Sequence, residues 1–167
     1  AKNYPRLVKE VFTRGHEVAS HGFYHEDVST MTLDELKQDI SDTKMILEDT
    51  ISSKVYGYRS PVFTGHTEGF FTTVSDVGYE YDSSVFPAKR NSGDASDFPK
   101  VPFRLLFEDS KELLEFPITI VNCLGRSFPV GGGYFRAYPS WLSKALAGKA
   151  INETGYFMFY LHPREVD

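Results

Sequence analysis

Short apolar stretches alternate along this sequence with longer stretches of helical periodicity. That alternation restricts the chain to folds in which helices cover a parallel sheet or barrel. Residues 16–20, 54–58, 79–82 and 156–161 read as strands, the last of them a continuous apolar and buried one. Residues 113–121 read as a strand that Pro117 confines to an edge or a bulge. Residues 4–14 read as the end of a helix, with Leu7, Val8, Val11 and Phe12 on one face and Gly15 as its stop. The clearest helix opens at Thr32, which forms a capping box with Glu35. Leu33, Leu36, Ile40, Thr43 and Leu47 then line one buried stripe. Residues 67–77 predict a further helix with Phe70, Phe71 and Val74 inward and Gly78 as its stop, and Pro139 and Ser140 open another that carries Trp141, Leu142, Ala145 and Leu146. Residues 83–102, rich in Ser, Gly, Pro and Asp, predict a long surface loop, and Gly131, Gly132 and Gly133 mark a second loop. With no internal repeat, residues 1–167 read as a single α/β domain.

The alternation has a chemical consequence. His21, Arg59 and His162 each follow a predicted strand directly, and Asp82 closes one. In parallel α/β folds the C-terminal strand ends gather on one face, and active sites are built there. His21 and His25 have the spacing of a metal-ligating pair, and Gly22 lets the chain turn between them; two exposed loop histidines would have the same spacing. His162 suits a general acid or a core histidine bonded to a carbonyl. Arg59 suits a bidentate carboxylate clamp or an ordinary ion pair. Asp82 suits a residue that orients a partner, or a cap on the turn through Ser83 and Ser84. His16 and His66 read as structural or surface residues. The glycine run lacks the Lys-Ser/Thr ending of a phosphate loop.

Composition narrows the function classes. The net charge is −5 with no basic stripe, which disfavours nucleic-acid binding. No apolar run approaches the roughly 20 residues that span a bilayer. Cys123 is the single cysteine, so no internal disulfide forms, and its apolar surroundings suit a small core residue. Aromatic residues reach 15%, enough for a packed core or a sugar-facing cleft.

Taken together, residues 16–25 (His-Glu-Val-Ala-Ser-His-Gly-Phe-Tyr-His), the Tyr58-Arg59-Ser60-Pro61 stretch and the Tyr160-Leu161-His162-Pro163 stretch resemble three motifs of the polysaccharide deacetylase family, the NodB-homology domain, in the family's order. Residues 81–87 (Tyr-Asp-Ser-Ser-Val-Phe-Pro), 115–117 (Glu-Phe-Pro) and 131–136 (Gly-Gly-Gly-Tyr-Phe-Arg) resemble a bacterial subgroup tied to cell-wall and exopolysaccharide modification. The resemblance implies a distorted (β/α) barrel, incomplete at the N-terminus, and hydrolytic removal of N-acetyl groups from a sugar polymer. It implies a divalent metal, zinc above others, on His21 and His25, with His162 as general acid. Arg59 would hold the base aspartate, and the backbone N–H of Val62 would stabilise the oxyanion. Val62 stands where many members carry an aromatic, which would reshape the acetyl pocket. Asp82 and Tyr134 are the further substrate-side candidates, Tyr134 with Phe135 and Trp141 near the glycine loop, although core packing accounts for Trp141 equally well.

One departure stands beside these matches. The family's first motif supplies the base aspartate and the metal's third ligand, yet the 20 residues before His21 contain no Asp. Asp42, Asp49, Asp94, Asp97 and Asp109 fall on helix or loop stretches. The expectation is therefore a partial catalytic domain that binds metal incompletely and is inactive by itself. A sheet lacking its first strand would also expose an edge on which a second copy can pair. The alternatives are a hydrolase of small cyclic amides on the same fold and an inactive sugar-binding relative. A structural metal domain is weaker, because such sites close four ligands.

Overall fold

The computed structural model describes residues 1–65, 67–90, 93–108, 110–123 and 125–165. His66 and Asp109, read above from the sequence, lie outside them. The chain divides into two compact units, one of Ala1–Ser84 with Arg104–Glu115, the other of Val85–Phe103 with Phe116–Asp167.

The first unit holds helices α1 (Pro5–Thr13), α2 (Leu33–Ile51) and α3 (Phe70–Asp76), and strands β1 (Gly57–Tyr58) and β2 (Tyr81–Asp82). Strands β5 (Phe103–Leu106) and β6 (Glu112–Glu115) complete its sheet, in the order β1-β2-β6-β5. β1 runs parallel to β2, and β2 parallel to β6. A parallel bridge from Ser20 to Tyr58 prolongs this array beyond β1. The unit is therefore mixed α/β with a parallel sheet, as the alternation predicts.

The sequence reasons for α2 hold. Thr32 accepts the N–H of Glu35 while the Glu35 carboxylate accepts the N–H of Thr32 at 2.8 Å. The buried face carries Leu36, Ile40, Thr43, Leu47 and Ile51. Leu33 departs from the predicted stripe: it is half exposed at the first helical position, where it packs against the start of α3 at Gly69. The core behind α2 joins Val55, Tyr58, Phe70, Val74, Tyr79 and Leu113, all buried.

The second unit holds the antiparallel pairs β3 (Lys89–Arg90) with β4 (Gly93–Asp94) and β7 (Ile120–Cys123) with β8 (Arg126–Pro129), followed by α4 (Gly133–Ala137) and α5 (Ser140–Thr154). Its core gathers Val121, Val130, Leu146 and Ala150, with Phe128, Tyr138, Leu142 and Phe157 packed on them. Trp141 stays outside this core, 68% exposed.

Four expectations need correction. Residues 16–19 form no strand, because pairing reaches only Ser20, whose N–H and C=O bond Gly57 and Arg59. The stretch from 83 is not all surface: Ser84 and Val85 are fully buried, and Ser83, Phe86 and Ala88 nearly so. Serine tolerates this because the Ser84 hydroxyl has protein partners on both sides. The single strand expected over 113–121 is two strands in different sheets, β6 and β7, separated at Pro117, which has no N–H for a ladder. The apolar run 156–161 makes no ladder and is partly exposed. Its backbone is held by single contacts instead: Met158 N–H to the Thr119 hydroxyl, and Tyr160 C=O to Gly132 N–H.

Candidate functional site

Register fixes the geometry of the first unit's sheet edge. Ser20 pairs with Tyr58, Tyr58 with Asp82, and Asp82 with Glu115, so these residues form one row across four parallel segments. His21 and Arg59 are the next residues along their segments, which puts them at the C-terminal edge that the sequence predicts.

His21 and His25 come together, their rings 4.9 Å apart and edge-to-face. The Nδ1 of His21 lies 2.7 Å from the Arg59 carbonyl oxygen. A carbonyl only accepts, so Nδ1 carries the proton and Nε2 presents its lone pair. This is the arrangement by which proteins orient a metal-ligating imidazole. Both histidines are exposed. His25 adopts a left-handed backbone, φ 59°, uncommon outside glycine. Gly22, φ 75°, makes the turn between them, and a Cβ there would lie 3.2 Å from the Asp39 carboxylate. That carboxylate accepts the N–H of Phe23 at 2.9 Å and of Tyr24 at 3.3 Å. The donor set thus fits two imidazole ligands of a zinc-like ion. Among the described residues no group of three His, Cys, Asp or Glu side chains is placed to hold a metal.

The segment after β1 is shaped by a buried polar network. The Arg59 guanidinium donates from Nε to the Ser83 carbonyl at 3.0 Å and from Nη2 to the Ser83 hydroxyl at 2.7 Å. Ser60 N–H donates to the Ser84 hydroxyl, and that hydroxyl donates to Asp82. Asp82 also accepts the Ser84 N–H at 2.9 Å and is fully buried. Its carboxyl therefore faces the turn at Ser84, the capping alternative noted from the sequence. Burial pushes the Asp82 carboxyl above the usual carboxylate range, opposed by hydrogen bonds from Glu115 and Ser84 and by the charge of Arg59. Beyond this network the chain turns at Pro61–Phe63, where Val62 and Phe63 both have positive φ, 53° and 55°. For a β-branched residue that conformation is strained, and such strain clusters at functional sites. Val62 is half exposed.

In the second unit, His162 donates from Nδ1 to Glu165 at 3.1 Å, and its backbone N–H donates to the same carboxylate. The Glu165 side chain is only 3% exposed against 44% for His162. The backbone N–H of His162 holds the Glu165 carboxyl below its usual range, aided by the His162 ring and Arg164. With Nδ1 so engaged, Nε2 is the ring atom available to a reacting group. Tyr134 lies on α4, 43% exposed, its ring 6.0 Å from Tyr138.

Sequence reasoning missed Asp39, Glu115 and Glu165. Asp39 carried a usable signal, a charged residue on the buried stripe of α2 between Leu36 and Thr43. Glu115 appeared only as part of a short motif, and its place beside Asp82 depends on strand register. Glu165 lies three residues beyond His162, a separation that a 3₁₀ turn (Pro163–Glu165) closes.

Two family descriptions match the chain. Residues 1–81 match polysaccharide deacetylase, and residues 83–167 match a domain of unknown function, DUF3473. No curated protein matches the sequence. Among solved structures, a protein from Mycobacterium smegmatis described as a polysaccharide deacetylase aligns with TM-score 0.67 at 18% identity, over 96% of this chain and 54% of its own. One described likewise from Pseudomonas aeruginosa PAO1 aligns with TM-score 0.62 at 18% identity, over 96% of this chain and 49% of its own. Puue allantoinase aligns with TM-score 0.55 at 20% identity, over 71% of this chain and 35% of its own. The chain thus spans about half the length of the first two, and the likeness is one of fold.

Proposed function

This chain belongs to the polysaccharide deacetylase family, its C-terminal half matching DUF3473, and from that premise we propose that it serves a metal-dependent hydrolase that removes N-acetyl groups from a polysaccharide. The observation that carries the reading is the histidine pair, with His21 oriented by the Arg59 carbonyl so that Nε2 is the ligating atom. His21 and His25 hold the ion. A divalent metal of the zinc kind, when bound, supplies Lewis acidity to the amide carbonyl and to a water.

The remaining roles rest on the chemistry of each residue within its own unit. His162 gives a proton from Nε2 to the nitrogen of the departing amine, and Glu165 keeps its ring oriented through Nδ1. Val62 offers its backbone N–H to the oxyanion from a turn that Arg59, Ser60 and Ser84 hold in place. Asp82 contributes from beneath, through Ser84. Tyr134 presents an exposed ring suited to stacking on a sugar face. The resemblance assigns the base aspartate to the family's first motif, held by Arg59.

The test is acetate release from N-acetylated glycan oligomers by the full protein, before and after chelation. Acetate release that stops on chelation and returns with zinc is the expected result. Hydrolysis of allantoin with no acetate from any glycan would replace the substrate class. No hydrolysis of either, with glycan still bound, would favour a binding relative.

A further inference from the structure

α2 carries a charged side chain where its pattern calls for an apolar one. Asp39 is 7% exposed and lies between Leu36, Ile40 and Thr43 on the buried face. Burying a carboxylate is costly unless hydrogen bonds compensate it. In a helix interior the neighbouring N–H groups are already engaged by the helix, so compensation has to come from elsewhere. Here it comes from the loop between the two histidines: Oδ2 accepts the Phe23 N–H and Oδ1 the Tyr24 N–H. Gly22 permits the approach, since its α-carbon turns toward the same Oδ2. The loop is thereby fixed at two points, His21 by the Arg59 carbonyl and residues 23–24 by Asp39. His25, which follows at once, keeps a left-handed backbone that an untethered chain would leave.

We propose that Asp39 is a positioning residue for the metal pair: by binding the amides of Phe23 and Tyr24 it sets the separation and orientation of the His21 and His25 rings before metal arrives. The proposal rests on the metal reading above. It goes further by locating the preorganisation of the pair in a helix that contributes no ligand. Charge-assisted bonds to two successive amides are directional, so they fix the loop conformation more tightly than packing would.

The experiment is zinc titration by calorimetry of the full protein and of Asp39→Asn, Asp39→Ala and Leu47→Ala, with a melting temperature for each. Asn is nearly isosteric with Asp and keeps one acceptor oxygen, so Asp39→Asn guards against a variant that fails to fold. Leu47 lies on the same buried face two turns on, within the apolar core, and makes no hydrogen bond to the histidine loop, so Leu47→Ala reports general loss of stability. The expected result is zinc affinity lower by about 10–100-fold in the Asp39 variants. Leu47→Ala should melt earlier with wild-type affinity. Wild-type affinity in Asp39→Asn and Asp39→Ala would overturn the positioning role and leave the metal reading intact. Equal loss of affinity in Leu47→Ala would overturn it as well, by making the effect one of stability. No zinc binding by the wild-type protein would overturn both.

Discussion

The two units hold their candidate histidines by different means. In the first, His21 and Arg59 project from the edge of a parallel sheet, and each is tied to a neighbouring segment: His21 to the Arg59 carbonyl, Arg59 to Ser83. In the second, His162 follows an apolar run with no ladder, and its tie is local, to Glu165 three residues on. A position defined by strand register depends on long-range packing. A position defined by one turn depends on a single side chain. The first unit should therefore lose its site only where its core unfolds, and the second when one carboxylate is removed.

The largest effect expected is on catalysis. His162→Ala should lower acetate release by about 10²–10⁴-fold while metal content stays at the wild-type level. Glu165→Ala should give a smaller loss, read as a fall in kcat with little change in KM. Equal activity in Glu165→Ala and wild type would remove the local tie from the comparison. Next comes the first core. Phe70 is fully buried beneath Tyr58, and Phe70→Ala should cost about 3–5 kcal/mol in urea unfolding. The same variant should lose zinc binding at temperatures where wild type retains it.

Smaller effects test the polar network. The folded-state value of Asp82 is raised, so the protonated form is favoured on folding. Its contribution to stability is complete below the unfolded carboxylate value, about 3.9, and is lost as pH rises through the raised folded value. Subtracting the pH profile of Asp82→Asn from that of wild type should isolate this fall, with the variant gaining relative stability toward neutral pH. Parallel profiles would mean that Asp82 is not the titrating group. Smallest is the α2 cap: Thr32→Ala should cost about 1 kcal/mol by removing the acceptor for Glu35 N–H, with no change in zinc affinity.

How much of this was legible in the sequence depends on the range of the interactions. Capping and periodicity are local, and α2 follows them in its cap at Thr32 and in its stripe from Leu36 to Leu47. Strand ends are nearly local, so the placement of His21, Arg59 and Asp82 at one edge could be expected. Strand length and partnership are not. Residues 113–121 are one strand-like run in sequence, yet Pro117 and the competing partners of β6 and β7 divide it. Serine-rich composition marked turns after Asp82 but gave no sign that Ser84 would be buried, because its burial depends on Asp82 and Ser60. Asp39 was hidden for the same reason, since its meaning lies in amides 15 and 16 residues away.

The central claim is that His21 and His25 are metal ligands, and the direct measurement is metal content by elemental mass spectrometry of the full protein beside His21→Ala and His25→Ala. The account predicts about one zinc-like ion per wild-type chain, lost in both variants while their melting temperatures in metal-free buffer match that of the metal-free wild type. Wild-type protein that takes up no metal when zinc is supplied, or variants that retain it in full, would contradict the account.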